Sequence, residues 1–154
     1  METKAQNVIP QLIVDGGAAA IDFYVRAFGA RELYRLPESD GRVAHAELEL
    51  AGSVIMLADE YPDLKCIGPR RLGGTPCALT VYVDDVDRVV AQAIAAGAKA
   101  ERPIEDEFYG DRVGWLRDPF GHRWAIHTRR EQLSADEIKA RYAELMAKPR
   151  AGNP

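Results

Sequence analysis

The stretch from Asp111 to His127 has a weaker copy of itself upstream, and this internal repeat restricts what the chain can fold into. Arg112 to Arg117 and Arg123 to Thr128 read as two short strands around a tight turn. Pro119 presets the turn backbone, Gly121 supplies a positive φ, and Asp118 can close an Asx-turn. Gly52 matches Gly121 at an offset of 69 positions, and Val54 to Leu57 match Arg123 to Ile126. At the same offset Ile9 to Val14 match Ala78 to Val83, each followed by aspartate (Asp15 and Asp84). A helical run follows both times and closes on Gly-Ala, Gly29-Ala30 and Gly97-Ala98, one residue out of phase. The unit is strand, helix, three strands, written twice. A period this long marks a duplicated module rather than a solenoid, whose repeats span roughly 20–50 residues.

The expected fold is therefore α+β. Two tandem βαβββ modules form a curved-sheet cleft, with equivalent strands lining a shared space, and a C-terminal helix follows. Residues 1–154 form a single domain, because halves of roughly 60 residues would each be marginal alone. Module one spans 8–58, a linker 59–76, module two 77–130 and the last helix 134–147. Pro10 places the first strand, Val8 to Val14, at a sheet edge. Asp15 is a candidate cap for a helix over Ala18 to Phe28, and Asp84 or Asp85 for one over Val86 to Ala96. Val43 to Leu50 alternates, with Ala44, Ala46 and Leu48 read as facing inward. His45, Glu47 and Glu49 then form a solvated face, unless a bulge turns them into the pocket. Ser134 with Glu137 forms a capping box, and Ile138, Tyr142, Leu145 and Met146 make an apolar stripe that calls for a docking partner.

Charge and composition exclude several roles. A net charge of −4 argues against a phosphate-backbone binder, so no nucleic acid is expected. No apolar run approaches the ~18 residues of a membrane span, and the polar start is no signal peptide, so the expected location is cytoplasmic, without membrane association. Cys66 and Cys77 stand in no metal or redox spacing and read as reduced thiols.

With the doubled βαβββ pattern, the phrases Ala20-Ile-Asp-Phe-Tyr24, His45-Ala-Glu-Leu48, Met56-Leu-Ala-Asp59, Tyr109-Gly-Asp-Arg112 and Asp118-Pro-Phe-Gly-His122 make the chain recognisable. It resembles the vicinal oxygen chelate superfamily, and within it the glyoxalase/bleomycin-resistance-like group named after a phosphonate-operon protein. The resemblance implies a divalent metal held by one side chain from the first and one from the last strand of each module. Those places fall on Ile9, Met56, Ala78 and Ala125 in this sequence, and none offers a hard donor. Hence neither a metal of the usual kind nor another cofactor is expected.

The two-residue strand period then selects what shares a face with those places. The candidate ligand-binding residues are Gln11, Met56, Thr80, Tyr82, Val113, Trp115 and His127, while Leu12, Val14, Ile55, Leu57, Leu79, Val81, Trp124 and Ile126 point at the helices. Asp111-Arg112 reads as a turn with a local ion pair, and His122 as a structural turn residue. The expected function is metal-independent binding of an aromatic or planar metabolite or antibiotic by a likewise expected homodimer. The alternative is a lyase, isomerase or dioxygenase of the same superfamily, with relocated metal ligands or with His127 or Glu47 as a metal-free base.

Overall fold

In the computed structural model, which describes residues 6–148, the strand, helix, three-strand unit occurs twice. Module one contains β1 (Gln11–Val14), α1 (Gly17–Phe28), β2 (Arg31–Pro37), β3 (Val43–Leu50) and β4 (Ser53–Asp59). Module two contains β5 (Ala78–Tyr82), α3 (Val86–Ala96), β6 (Lys99–Asp106), β7 (Asp111–Arg117) and β8 (Arg123–Arg129). A 3₁₀ turn (Pro62–Leu64) and the one-turn α2 (Pro69–Leu72) lie between them, and α4 (Ala135–Ala147) follows. The sheets run β1-β4-β3-β2 and β5-β8-β7-β6. The 69-residue offset reappears in their registers: Gln11 pairs with Met56 in parallel, and Thr80 with Ala125. β1 lies at a sheet edge, as Pro10 requires, but begins at Gln11 rather than Val8.

Alternation along the strands makes the core. Leu12, Val14, Ala46, Leu48, Ile55, Leu57, Val81, Leu116, Trp124 and Ile126 are buried in one apolar cluster with the inner faces of α1 and α3, and Leu79 packs against it. The helices meet each other, with Gln92 Nε2 donating to the Arg26 carbonyl at 2.7 Å. Tyr24 and Phe28 of α1 reach across to Trp124 of β8, at centroid distances of 5.5 and 4.8 Å. Both sheets thus turn their apolar faces to one shared helical layer, and their other faces point away from it. The space shared by equivalent strands within one chain is this core; the faces carrying the candidate ligand residues do not share it.

Buried polar groups fix the seams. Asp15 does not cap α1, whose N-cap is Gly16. The Asp59 carboxylate at the end of β4 instead accepts from Gly16 N and Gly17 N at 2.8 and 2.9 Å, and from Val43 N at 2.7 Å. A carboxylate at a helix N-terminus satisfies otherwise unpaired N–H groups and meets the positive end of the helix dipole. Thr128 holds the equivalent place in module two and accepts from Val86 N at 2.8 Å. Asp85 caps α3 through Arg88 N. The turn of the last hairpin closes on Asp118, whose Oδ1 accepts from Phe120 N and His122 N at 2.9 and 3.0 Å. Its Oδ2 accepts from Tyr24 Oη at 2.6 Å and Trp124 Nε1 at 2.9 Å. His122, structural as expected, donates from Nε2 to the Ile13 carbonyl of β1 at 2.9 Å.

The linker is tethered by Glu60, which accepts from Gly68 N and Arg71 Nε, both at 2.8 Å. Ser134 and Glu137 form the capping box of α4, but no residue of that helix is buried. Tyr142 touches Phe108, while Leu145 and Met146 stay exposed. The docking partner that the apolar stripe calls for is not supplied among the described residues.

Asp118→Ala strands a phenol, an indole N–H and two backbone donors, and should cost about 3 kcal/mol or more of unfolding free energy in urea titrations. Tyr24→Phe, which removes one donor and keeps the ring, should cost about 1–2 kcal/mol.

Candidate functional site

The faces that the helices leave uncovered carry the chemistry. Cross-strand partners share a face, so on the second sheet the rungs Thr80–Ala125–Trp115–Arg102 and Tyr82–His127–Val113–Glu105 lie side by side. Five of the seven candidate residues, Thr80, Tyr82, Val113, Trp115 and His127, are brought together there. Gln11 and Met56 adjoin one another on the first sheet instead, on the rung Gln11–Met56–Glu47–Tyr34. His45 and Glu47 therefore share the face of Met56 with no bulge needed. Ala46 and Leu48 do look into the core, and the opposite, solvated face is itself the candidate face. Tyr34 Oη donates to Glu47 Oε1 at 2.9 Å, and His45 Nε2 lies 3.6 Å from the same oxygen.

At the far end of the second sheet stands a buried aspartate–histidine pair. Asp111 is the first residue of β7 rather than part of a turn, and its partner is not Arg112, which pairs with Asp87 and Asp106. The buried Asp111 Oδ2 accepts from Tyr82 Oη at 2.9 Å and from His127 Nδ1 at 3.0 Å, and Arg129 Nε lies 3.6 Å from Oδ1. Since a carboxylate can only accept, the proton of neutral His127 sits on Nδ1 and its Nε2 keeps a lone pair. Tyr109 stacks on this imidazole with centroids 6.3 Å apart. Burial pushes the Asp111 carboxyl up, but hydrogen bonds from His127 and Tyr82 outweigh it, leaving the pKa below the usual range. The signal in the sequence was the two-residue spacing of Asp111 from Val113.

Around Trp115 the face is basic. The guanidinium carbons of Arg102 and Arg123, one from each neighbouring strand, both lie 5.1 Å from the indole centroid. Glu101 accepts from Arg117 Nε and Arg123 Nε, each at 2.8 Å. Glu101 and Arg102 reach the same face because the β6–β7 register shifts between Ala100 and Arg102, a bulge that strict alternation misses. Two cavities flank the edge of β1. One, of about 380 Å³, is lined by Thr80 and Tyr82; the other, of about 360 Å³, by Gln11 beneath Ile67, Pro69 and Leu72.

The glyoxalase/bleomycin resistance protein/dioxygenase superfamily model matches residues 8–126. The chain belongs to that superfamily. It is 44% identical over 146 residues to an uncharacterized protein of Mycobacterium tuberculosis, covering 90% of this chain and 86% of that one. It is also similar to the crystal structure of TioX from a Micromonospora species. The TM-score there is 0.65 at 31% identity, over 81% of this chain and 99% of TioX. The fosfomycin resistance protein FosX from Listeria monocytogenes shares the fold, with a TM-score of 0.62 at 17% identity over 88% of this chain and 98% of FosX.

The metal places that the superfamily resemblance maps onto this chain can be tested on its side chains. Ile9, Met56 and Ala78 are partly buried and Ala125 is buried, and only the Met56 thioether could ligate, a soft donor unsuited to hard divalent ions. Among the described residues no group of three or more His, Cys, Asp or Glu is placed to hold a metal ion. The residues present do not fit a four-ligand divalent centre.

Because the folded pKa of Asp111 lies below its unfolded value of about 3.9, its stabilisation is present above that pH and is lost as pH falls through the folded value. Asp111→Asn should therefore be less stable than wild type by about 1–2 kcal/mol at pH 7. The gap should hold to about pH 5 and close below about pH 4, read from chemical denaturation at each pH.

Proposed function

We propose that this superfamily member is a metal-independent small-molecule binding protein that sequesters an aromatic or planar metabolite or antibiotic. The supporting observation is the residue set at the four ligand places, Ile9, Met56, Ala78 and Ala125, which leaves aromatic rings and hydrogen-bonding groups to orient a ligand. Tyr82, Trp115 and His127 on one face, and Gln11, Met56 and Tyr34 on the other, are the groups that would do so.

The binding unit is a homodimer, in which the uncovered first sheet of one copy faces the uncovered second sheet of the other. Two features support this. The first face carries Glu47, and Glu49 paired with Arg31, where the second carries Arg117 and Arg123 around Glu101, so the two are complementary in charge. The stripe on α4, with Tyr142 51%, Leu145 44% and Met146 51% exposed, offers further apolar surface to a second copy. The site is cytoplasmic in this reading.

A second reading is favoured by one observation. His127, oriented by Asp111 and with Nε2 free of that bond, has the geometry of a general base, as a metal-free isomerase would need.

Protein purified without chelator should contain well below one Zn, Ni, Mn or Fe per chain and should sediment as a dimer at tens of micromolar. It should also bind members of a panel of planar aromatics by calorimetry. A metal content near one per chain overturns the metal-independent reading, and a monomer overturns the paired-sheet pocket. Turnover abolished by His127→Gln with binding retained would favour the isomerase.

A further inference from the structure

The basic cluster around Trp115 has more donors than its own fold uses. Arg117 and Arg123 share Glu101, in bonds of 2.8 Å. Arg102 has no such partner: its guanidinium carbon lies over the indole ring at 5.1 Å, and among the described residues the only carboxylate ion-paired on this part of the face is Glu101, held by the other two. Lys99 lies opposite Arg117 on the same face. Two cations therefore bind Glu101 while Arg102 and Lys99 share its face without an ion pair among the described residues, with Glu105 one rung further along, in a chain whose net charge is −4. Burial pushes the Glu101 carboxyl up, but the bonds from Arg123 and Arg117 reverse this and leave its pKa lowered, so it remains an acceptor that holds both guanidiniums.

Stacking a guanidinium on an aromatic face leaves its in-plane N–H donors free. Trp115, flanked by Arg102 and Arg123, therefore presents positioned donors at its rim beside the ring itself. A planar fork of this kind matches a carboxylate, which it can bind through two parallel hydrogen bonds.

We propose that this cluster is a carboxylate site, in which Arg102 receives the anionic group of a planar ligand while Trp115 acts as a positioning residue for the guanidinium. This rests on the small-molecule binding reading and names the class of ligand: an aromatic carboxylic acid rather than a neutral or cationic aromatic. The bulge in β6 is what makes the site, because it brings Glu101 and Arg102 to one face in consecutive positions.

Calorimetric titration of the full-length protein with naphthoate and with its neutral amide, naphthamide, tests this. Wild type should bind naphthoate about tenfold more tightly than naphthamide, a difference of about 1.4 kcal/mol, and raising the salt concentration should narrow the gap. Arg102→Gln should weaken naphthoate binding about tenfold and so remove the preference, with the melting temperature unchanged, since Arg102 is exposed. Arg102→Lys, which keeps the charge but not the fork, should retain part of it. Equal binding of both probes by wild type, with no effect of Arg102→Gln, would overturn the carboxylate site and leave the small-molecule reading standing. Failure of wild type to bind either probe would overturn the carboxylate site, and failure with the wider aromatic panel as well would overturn both.

Discussion

One buried carboxylate joins the two halves of this molecule. Asp118 closes the turn between β7 and β8 through two backbone N–H groups and accepts from Trp124 within its own module and Tyr24 from the other. Burial, then the adjacent Asp118 charge and hydrogen bond, raise the Tyr24 phenol well above its ordinary pKa, so it remains a donor. Around this bond Phe23, Phe28, Phe120 and Trp124 close into one aromatic cluster. In such an interior an unmet acceptor is costly, so the hydrogen-bond geometry selects one relative placement of the modules from the many that apolar contact alone would allow.

That placement has a consequence for function. With α1 and α3 packed together, each sheet spends its apolar face on the common core and leaves the other face outward. The two outward faces have the same backbone but different chemistry. The rung occupied by Tyr82 and His127 in module two is occupied by Ile13 and Ala58 in module one. Duplication supplied the scaffold twice, and only the second copy carries the histidine–aspartate pair and the arginine cluster. Module one contributes the Tyr34–His45–Glu47 group instead. The superfamily fold is thus retained while the residues at its ligand places no longer suit a hard metal ion.

Much of this was legible in the sequence because it depends on short-range periodicity. The offset between Gly52 and Gly121 predicted two modules, and the parallel registers of β1–β4 and β5–β8 follow it. Alternation separated Trp124 from Trp115 correctly, since a residue's face follows from the two-residue strand period. The Ser134–Glu137 capping box could be read directly, because both partners lie within one helical turn. The absence of hard donors at Ile9, Met56, Ala78 and Ala125 was likewise a matter of residue type and position.

The tertiary structure decided what long-range contacts decide. Asp59, not Asp15, meets the N-terminus of α1, because the end of β4 returns to that helix from more than forty residues away in the chain. Asp111 leaves its neighbour Arg112 for Tyr82 and His127, which are adjacent only across the sheet. The β6 bulge breaks the alternation on which facing is inferred, and so placed Glu101 and Arg102 beside Trp115. Side-chain type and strand period fixed which groups could form a site; the packing of helix against helix fixed which face was left open to carry it.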